Sequence, residues 1–299
     1  LCRKSLLPAH VMQKIPDDNT MSALTADIKH WGRELGFQQV GISGIDLGQH
    51  GQRLQDWLAR GFHGELDYMA SHGAKRWRPE LLEPGTQRII SVRMDYLSAK
   101  PAPRTIPHYP QQGVIARYAL GRDYHKVMRK RLQKLAEKIM QASGDMGYRA
   151  FVDSAPVLER AIAEQAGLGW IGKNTMLINR QAGSFFFLGE LFTTLPLIID
   201  QPTSRHCGSC QACLDICPTN AIVAPYQLDA LRCISYLTIE YQGSIPLELR
   251  PLIGNRIFGC DDCQLICPWN RYAQLSAESD FQPRHRLEQS SLLDLFNWD

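Results

Sequence analysis

Alternating helical and strand-like patterning from Met21 to Asp200, followed by eight of the nine cysteines within 61 residues in ferredoxin-like spacing, predicts an α+β chain. In this reading an N-terminal α/β domain (21–200) precedes a bacterial ferredoxin-like module (201–275). Residues 1–20 form an extension, and residues 276–299 start a C-terminal region. A composition 44% hydrophobic and 21% charged supports a sizeable core and excludes a disordered or fibrous chain. The net charge of +3 permits a polyanionic partner without requiring one, so the distribution of charge has to carry that argument. The most apolar stretch, Phe185–Ile199, is broken by Glu190, Thr193, Thr194 and Pro196, so no membrane span is expected. Leu1–Thr20 has neither a twin-Arg pair nor a small-residue cleavage site and does not read as a secretory signal.

Taken in order, a helix is expected over Ala23–Leu35, a strand over Gln39–Ile42 and a helix over Arg53–Ala59. Arg88–Met94 reads as a buried strand, and Pro101–Pro110, with four prolines, as a loop. The strongest helix is Tyr124–Gln141, where Met128, Leu132, Leu135 and Ile139 recur at helical spacing. Its other face carries Lys126, Arg129, Lys130, Arg131, Lys134 and Lys138. A strand at Arg149–Val152, a helix at Val157–Ala166 and a Gly-rich turn at Gly167–Gly172 follow. Strands at Met176–Ile178 and Phe185–Leu188 lead into a linker, Pro196–Arg205. The apolar stub Leu292–Trp298 needs a surface to bury it.

Cys207, Cys210, Cys213 and Cys217-Pro218 spell C-x2-C-x2-C-x3-C-P, the run that holds [4Fe-4S] clusters in bacterial ferredoxins. Cys260, Cys263 and Cys267-Pro268 repeat the C-x2-C and x3-C-P spacings without the first cysteine of the run, and Cys233 can supply the missing thiolate. In such runs the fourth cysteine serves the other cluster. One cluster is therefore assigned to Cys207, Cys210, Cys213 and Cys267, the other to Cys217, Cys233, Cys260 and Cys263. The competing reading is a pair of zinc knuckles, against which both C-P endings argue. Cysteines concentrated in this way fit metal ligation in a reducing cytoplasm better than disulfides, and Cys2 lies outside any pattern.

Further residues carry a resemblance. Asp153-Ser154-Ala155-Pro156-Val157-Leu158-Glu159-Arg160, then Gly169-Trp170-Ile171-Gly172-Lys173-Asn174-Thr175, and Gly183-Ser184 to Leu188-Gly189-Glu190 resemble the epoxyqueuosine reductases. The likeness continues through Cys233-Ile234-Ser235-Tyr236 and Gly259-Cys260-Asp261-Asp262-Cys263-Gln264 and covers Met21–Asp299. The resemblance implies a base-off cobalamin between an α/β domain and the cluster module, reduced through the clusters. It also implies deoxygenation of epoxyqueuosine at the wobble position of tRNA. Removing an epoxide oxygen as water takes two electrons and a proton source. Asp153 matches the family's catalytic acid; read without the family, an Asp-Ser pair before a helix is an N-cap.

Arg76, Arg117, Tyr118, Lys173, Asn174, Ser184, Ser235 and Tyr236, with Asp153, are the cofactor-facing candidates the resemblance suggests. Asp123-Tyr124-His125 falls short of the Asp-x-His-x-x-Gly pattern of proteins that ligate cobalt through histidine. Asp123 is better read as a helix cap, His125 as surface or substrate-contacting, and the cobalt as lacking a side-chain ligand. For tRNA, Lys126, Arg129, Lys130 and Lys134, with Lys75, Arg76 and Arg78, are expected phosphate contacts. A low-potential donor such as flavodoxin or ferredoxin, and a monomeric state, complete the expectation. A corrinoid reductive dehalogenase and a non-catalytic electron-transfer ferredoxin are the alternatives. Members of the family continue past residue 299 with a helical extension.

Overall fold

The computed structural model describes residues 18–99, 111–144 and 146–297. Cys2, most of the N-terminal extension, the Pro101–Pro110 loop and Trp298 lie outside the described residues. The scaffold is a four-stranded sheet of β1 (Gln39–Ser43), β2 (Arg88–Asp95), β3 (Tyr148–Phe151) and β4 (Phe186–Thr193). Its order is β1-β2-β4-β3, and every pairing is antiparallel. The alternation of helix and strand in the sequence thus wraps an antiparallel sheet, with helices on both faces. β2 and β4 pair along their full lengths, from Arg88 opposite Thr193 to Asp95 opposite Phe186. β4 runs on through Glu190 to Thr193, past its expected end at Leu188, because it pairs with β2 throughout and its alternate residues Leu191 and Phe192 serve two different cores.

On one face Ile90, Val92, Met94, Phe187 and Leu191 pack against Ile28 of α1 (Asp18–Glu34). The same core takes in Met128, Leu132, Leu135 and Ile139 of α3 (Tyr124–Ser143), as the helical spacing requires. These four side chains are fully buried, and each contributes roughly 1.5–3 kcal/mol by leaving water. The other face carries Ile89, Phe192 and Phe151 against Ile162 of α4 (Glu159–Gln165). α2 (His50–Ala59) docks its Trp57 against the cysteine module, where its indole donates to the Leu228 carbonyl at 2.6 Å. Around the Gly-rich turn, Trp170–Ile171 form a short strand paired with Leu177–Ile178, so Met176 lies in the turn and not in the strand expected there.

α4 starts two residues later than the apolar pattern suggests. The segment before it is tightened by bonds from Ser154 to Val152, Ala155 to Asp153 and Val157 to Ala155, a spacing no helix uses. The residue capping α4 is Leu158, with no side-chain bond, so Asp153 is not a helix cap.

The cysteine module is woven into the first domain. Arg256–Phe258 pairs in parallel with Val114–Ile115, and the linker is clamped where Asp200 exchanges two bonds of 2.8 Å with the backbone of Ile42. Beyond the module the chain returns to the main core: Phe281 and Ala273 are buried there, Ser276 donates to the Leu97 carbonyl, and Arg122 donates to that of Asp280. The final helix, Leu292–Phe296, opens on a capping box of Ser291 and Asp294. Leu295 reaches Gly113, while Leu293 and Phe296 remain exposed.

Gly41 of β1 lets α4 approach the sheet: a Cβ there would fall 2.0 Å from the carbonyl oxygen of Ala166. Gly41→Ala should therefore destabilise the protein by about 1–3 kcal/mol, read as a lower denaturant midpoint.

Candidate active site

Two groups of cysteines converge from distant parts of the chain. Burial pushes the Cys213 thiol up to about 11, and repulsion from Cys267, Cys207 and Cys210 adds to it. Cys267 is likewise raised to about 11 by burial and then by Cys207 and Cys210. Cys263 is pushed well up, by burial first and then by Cys260, Cys233, Cys213 and Cys217. Thiols gathered so closely cannot all ionise unless positive charge is placed among them, which is what iron supplies. Cys213 appears in both neighbourhoods, so the two groups adjoin. No three His, Cys, Asp or Glu side chains among the described residues converge on the position of a single ion, the arrangement a zinc knuckle needs. A cubane accepts thiolates at its separate corners. All eight of these cysteines are free thiols, and only Cys210 is exposed.

Short helical turns aim the sulfurs. Cys233 stands at the N-cap of Ile234–Ile239, where the nearby amides of Ser235 and Tyr236 oppose the rise that burial imposes on its thiol. Cys267 caps Pro268–Tyr272 and is served in the same way by Trp269 and Asn270. The Gly-rich turn reaches across from the first domain: Lys173 Nζ donates to the carbonyls of Gly208 and Cys210, each at 2.8 Å. Asn174 donates to the carbonyl of Cys263 at 3.2 Å.

The second feature is the loop after β3. Asp153 adopts a left-handed φ of +52°, and 58% of its side chain is exposed. Its Oδ2 lies 3.1 Å from His125 Nε2, and His125 Nδ1 lies 2.8 Å from Asp123 Oδ1. Asp123 also caps α3 by accepting from the His125 amide at 3.0 Å, so the capping expectation holds. Its bonds to His125 hold the Asp123 carboxyl below its ordinary range. The histidine is thus strung between two carboxylates, an arrangement suited to passing a proton to Asp153. Tyr124, stacked on Phe187 at 3.8 Å, bonds Asp153; burial and that negative charge push its phenol far up.

Tyr118 joins the two features. It is raised to about 12 by burial first, then by Asp153 of the acid loop and by Asp261 and Glu240 of the cysteine module. Tyr68 is raised by burial and by Glu240 and Asp153. The acid therefore faces the edge of the module that carries Cys233 and Cys260.

The other expected residues fall into two sets. Arg76 is buried, bonded to the carbonyls of Tyr68 and Ser71 and set over the Tyr68 ring. Arg117 is held by Asp261, through its amide at 2.8 Å and its guanidinium at 3.2 Å. Ser184 is buried among Asn270 and Gln264, and the Tyr236 hydroxyl accepts from the Glu65 amide at 2.9 Å. Ser235, adjoining Cys233, is half-buried. On α3, Arg131 is committed to Leu35 and Glu278, Lys138 to Glu34, and Lys126 lies 4.0 Å from Asp123. Arg129, Lys130 and Lys134 stand exposed.

A cleft of about 460 Å³ beside the acid loop is lined by His72, Lys75, Arg129 and Arg149, together with Ser154, Ala155 and Pro156. Sequence reasoning did not bring out His72, Arg149, Tyr68 or the link between His125 and Asp153. Their positions in the chain are unrelated, and only the fold brings them to one loop.

The model described as "Epoxyqueuosine reductase QueG, DUF1730" matches residues 76–154, and "4Fe-4S double cluster binding domain" matches residues 206–270. The epoxyqueuosine reductase of Pseudomonas aeruginosa is 65% identical over 92% of this chain and 76% of its own length. That of Escherichia coli is 59% identical over 93% and 73%. A crystal structure of an epoxyqueuosine reductase with an epoxyqueuosine-modified tRNA-Tyr stem loop superposes with a TM-score of 0.82 at 33% identity, over 93% of this chain and 73% of that one. The Bacillus subtilis enzyme, solved with its catalytic aspartate loop swung out of the active site, gives 0.77 at 34% identity over 87% and 69%. The catabolic reductive dehalogenase NpRdhA, at 19% identity and a TM-score of 0.50 over 91% of this chain and 35% of that one, shares the fold alone. With relatives this similar across nearly all of its length and a double [4Fe-4S] module in place, the chain belongs to the epoxyqueuosine reductase family.

Proposed function

We propose that this protein reduces epoxyqueuosine to queuosine at the wobble position of tRNA, with Asp153 as the proton donor. The observation that carries this reading is the position of Asp153: exposed, free of any capping role, bonded to His125 and facing the cluster module. The deoxygenation consumes two electrons and two protons, breaks both C–O bonds of the epoxide, leaves an alkene and releases water. The clusters assigned to Cys207, Cys210, Cys213 and Cys267 and to Cys217, Cys233, Cys260 and Cys263 carry electrons singly. A base-off cobalamin, when bound between Asp153 and the module, would supply the strong reductant that cleavage of carbon–oxygen bonds requires.

The chain's own residues divide the remaining work. Asp153 protonates the departing oxygen, and His125, oriented by Asp123, restores its proton. Both ring nitrogens of His125 are turned to carboxylates, which supports a role for it in the proton path and not as a metal ligand. Arg117, Tyr118, Arg76, Ser235 and Tyr236 are the residues that would border the cofactor. Lys173, Asn174 and Ser184 support it indirectly by fixing the module against the first domain.

The tRNA backbone follows Lys75, Arg129 and Arg149 into the cleft beside the acid loop, with Lys126, Lys130 and Lys134 extending the track along α3. A low-potential flavodoxin or ferredoxin would deliver the electrons, and the exposure of Cys210 supports entry on its side of the module. No helix among the described residues is long and apolar enough to cross a membrane. A cytoplasmic monomer is the working form. A dehalogenase remains the alternative from fold alone, and the identity to tRNA-modifying reductases favours the tRNA substrate.

Asp153→Asn should keep iron and corrinoid while single-turnover deoxygenation of epoxyqueuosine tRNA falls by about 10²-fold or more; a rate near wild type removes the assigned role. Replacing Arg129 and Lys130 with Ala should flatten the plot of log affinity against log salt by about 0.7 per lost phosphate contact, as measured by filter binding. Cys267→Ser should abolish the spectroscopic signature of the cluster held by Cys207, Cys210 and Cys213 and leave the other in place. Cys217→Ser should do the reverse, and loss of the same cluster in both variants contradicts the crossed assignment.

A further inference from the structure

Behind the acid loop lies a carboxyl group that the reaction above does not use. Glu190, in the middle of β4, is completely buried, with Ser91 opposite it on one side and Phe151 on the other. Neither of its oxygens has a hydrogen-bond donor, and the side chain paired with it is that of Glu159. Glu159, half-buried at the first turn of α4, accepts the Asp153 amide at 2.6 Å. Two carboxyl groups therefore face each other, acceptor to acceptor, directly beneath the catalytic loop. Two adjoining carboxylates with no donor between them and one wholly out of water are not a stable arrangement, so a proton must reside on the pair.

We infer that Glu190 is a permanently protonated carboxylic acid that donates to Glu159, and that Glu159, as a carboxylate, holds the amide of Asp153 and so fixes the acid loop in its left-handed turn. The inference rests on Asp153 being the acid. Both glutamates are positioning residues, acting through the backbone of Asp153.

The charged groups around the pair agree with this division. Burial, then Glu159 and Asp153, push Glu190 well above the carboxylate range. Glu159 is raised to about 7 by burial and by Asp153, a rise opposed by the Asp153 amide, Glu190 and Arg160. Tyr124 faces the pair from the start of α3, and β2 and β3 bring only the uncharged Ser91 and Phe151 alongside Glu190. On raising the pH, the first proton leaves Glu159 near neutrality and the second stays on Glu190. The loop is held best above that first step. Below it, Glu159 is neutral and its bond to the amide weakens.

The test uses the holoenzyme with isotope-labelled glutamate. Infrared spectra above neutral pH should show a protonated carboxyl band that is missing in Glu190→Gln, and hydrogen exchange should show the Asp153 amide protected in both proteins. Glu190→Leu, which fills much of the same space but donates nothing, should lose that protection and lower the single-turnover rate on the order of 10–100-fold. The rising limb of the pH–rate profile near neutrality should vanish in Glu159→Gln. Absence of the carboxyl band in the wild type, or equal loosening of the loop by Gln and Leu at position 190, overturns the inference. The band and the exchange are measured without substrate, so they stand or fall separately from the assignment of epoxyqueuosine tRNA as substrate.

Discussion

The pairing of β2 with β4 is the constraint on which the rest depends. Because those strands are central and covered on both faces, each presents alternate residues to two separate cores. One face seats α3 and with it His125; the other seats α4 and the loop bearing Asp153. The histidine and the acid reach each other around the end of the sheet, and their 3.1 Å contact is only as well defined as the two helix packings that set it. A carboxyl group in the middle of β4 would ordinarily weaken such a strand. Here Glu190 lies where the sheet passes under the acid loop.

Much of this architecture was legible in the sequence. The four apolar positions of α3 recur at helical spacing and are all buried, and β2, buried along nearly its whole length, has its ends within a residue of expectation. The cysteine spacings announced the cluster module because a cubane demands short, fixed separations that few other sites share. The less legible features follow from contacts far apart in the chain. The onset of α4 moved to Glu159 because the last of the tight turns that follow Asp153 closes Val157 onto Ala155, at the residue where apolar periodicity starts the helix. Nothing local marks His125 as the partner of Asp153 or Arg149 as a wall of the basic cleft. Lys173, Asn174 and Ser184 show the converse case: polar residues in a recognisable motif whose bonds join the cysteine module to the first domain.

Electrostatically the site is arranged in layers. Buried thiols gather where iron neutralises them, the tyrosines Tyr68 and Tyr118 lie at the junction of the two regions, and acidic groups collect beneath and around Asp153. Cations stand outside this acidic interior, on α3 and around the cleft. The field that attracts a polyanion is therefore separated from the field that holds protons, and neither cancels the other.

Crossed ligation through Cys217 and Cys267, as proposed above, would carry a consequence for how the protein is made. Each cluster would draw ligands from segments on either side of Cys233, and the strand Arg256–Phe258 between them is paired to residues 114–115 of the first domain. One cubane could then be completed only after Cys263 has been synthesised, and the other only after Cys267. Iron supply would then bear on tertiary structure: without clusters the two cysteine groups would lack their mutual ties through Cys217 and Cys267, and the module would be held to the first domain by protein contacts alone, among them the strand pairing and the bonds of Trp57, Lys173 and Asn174.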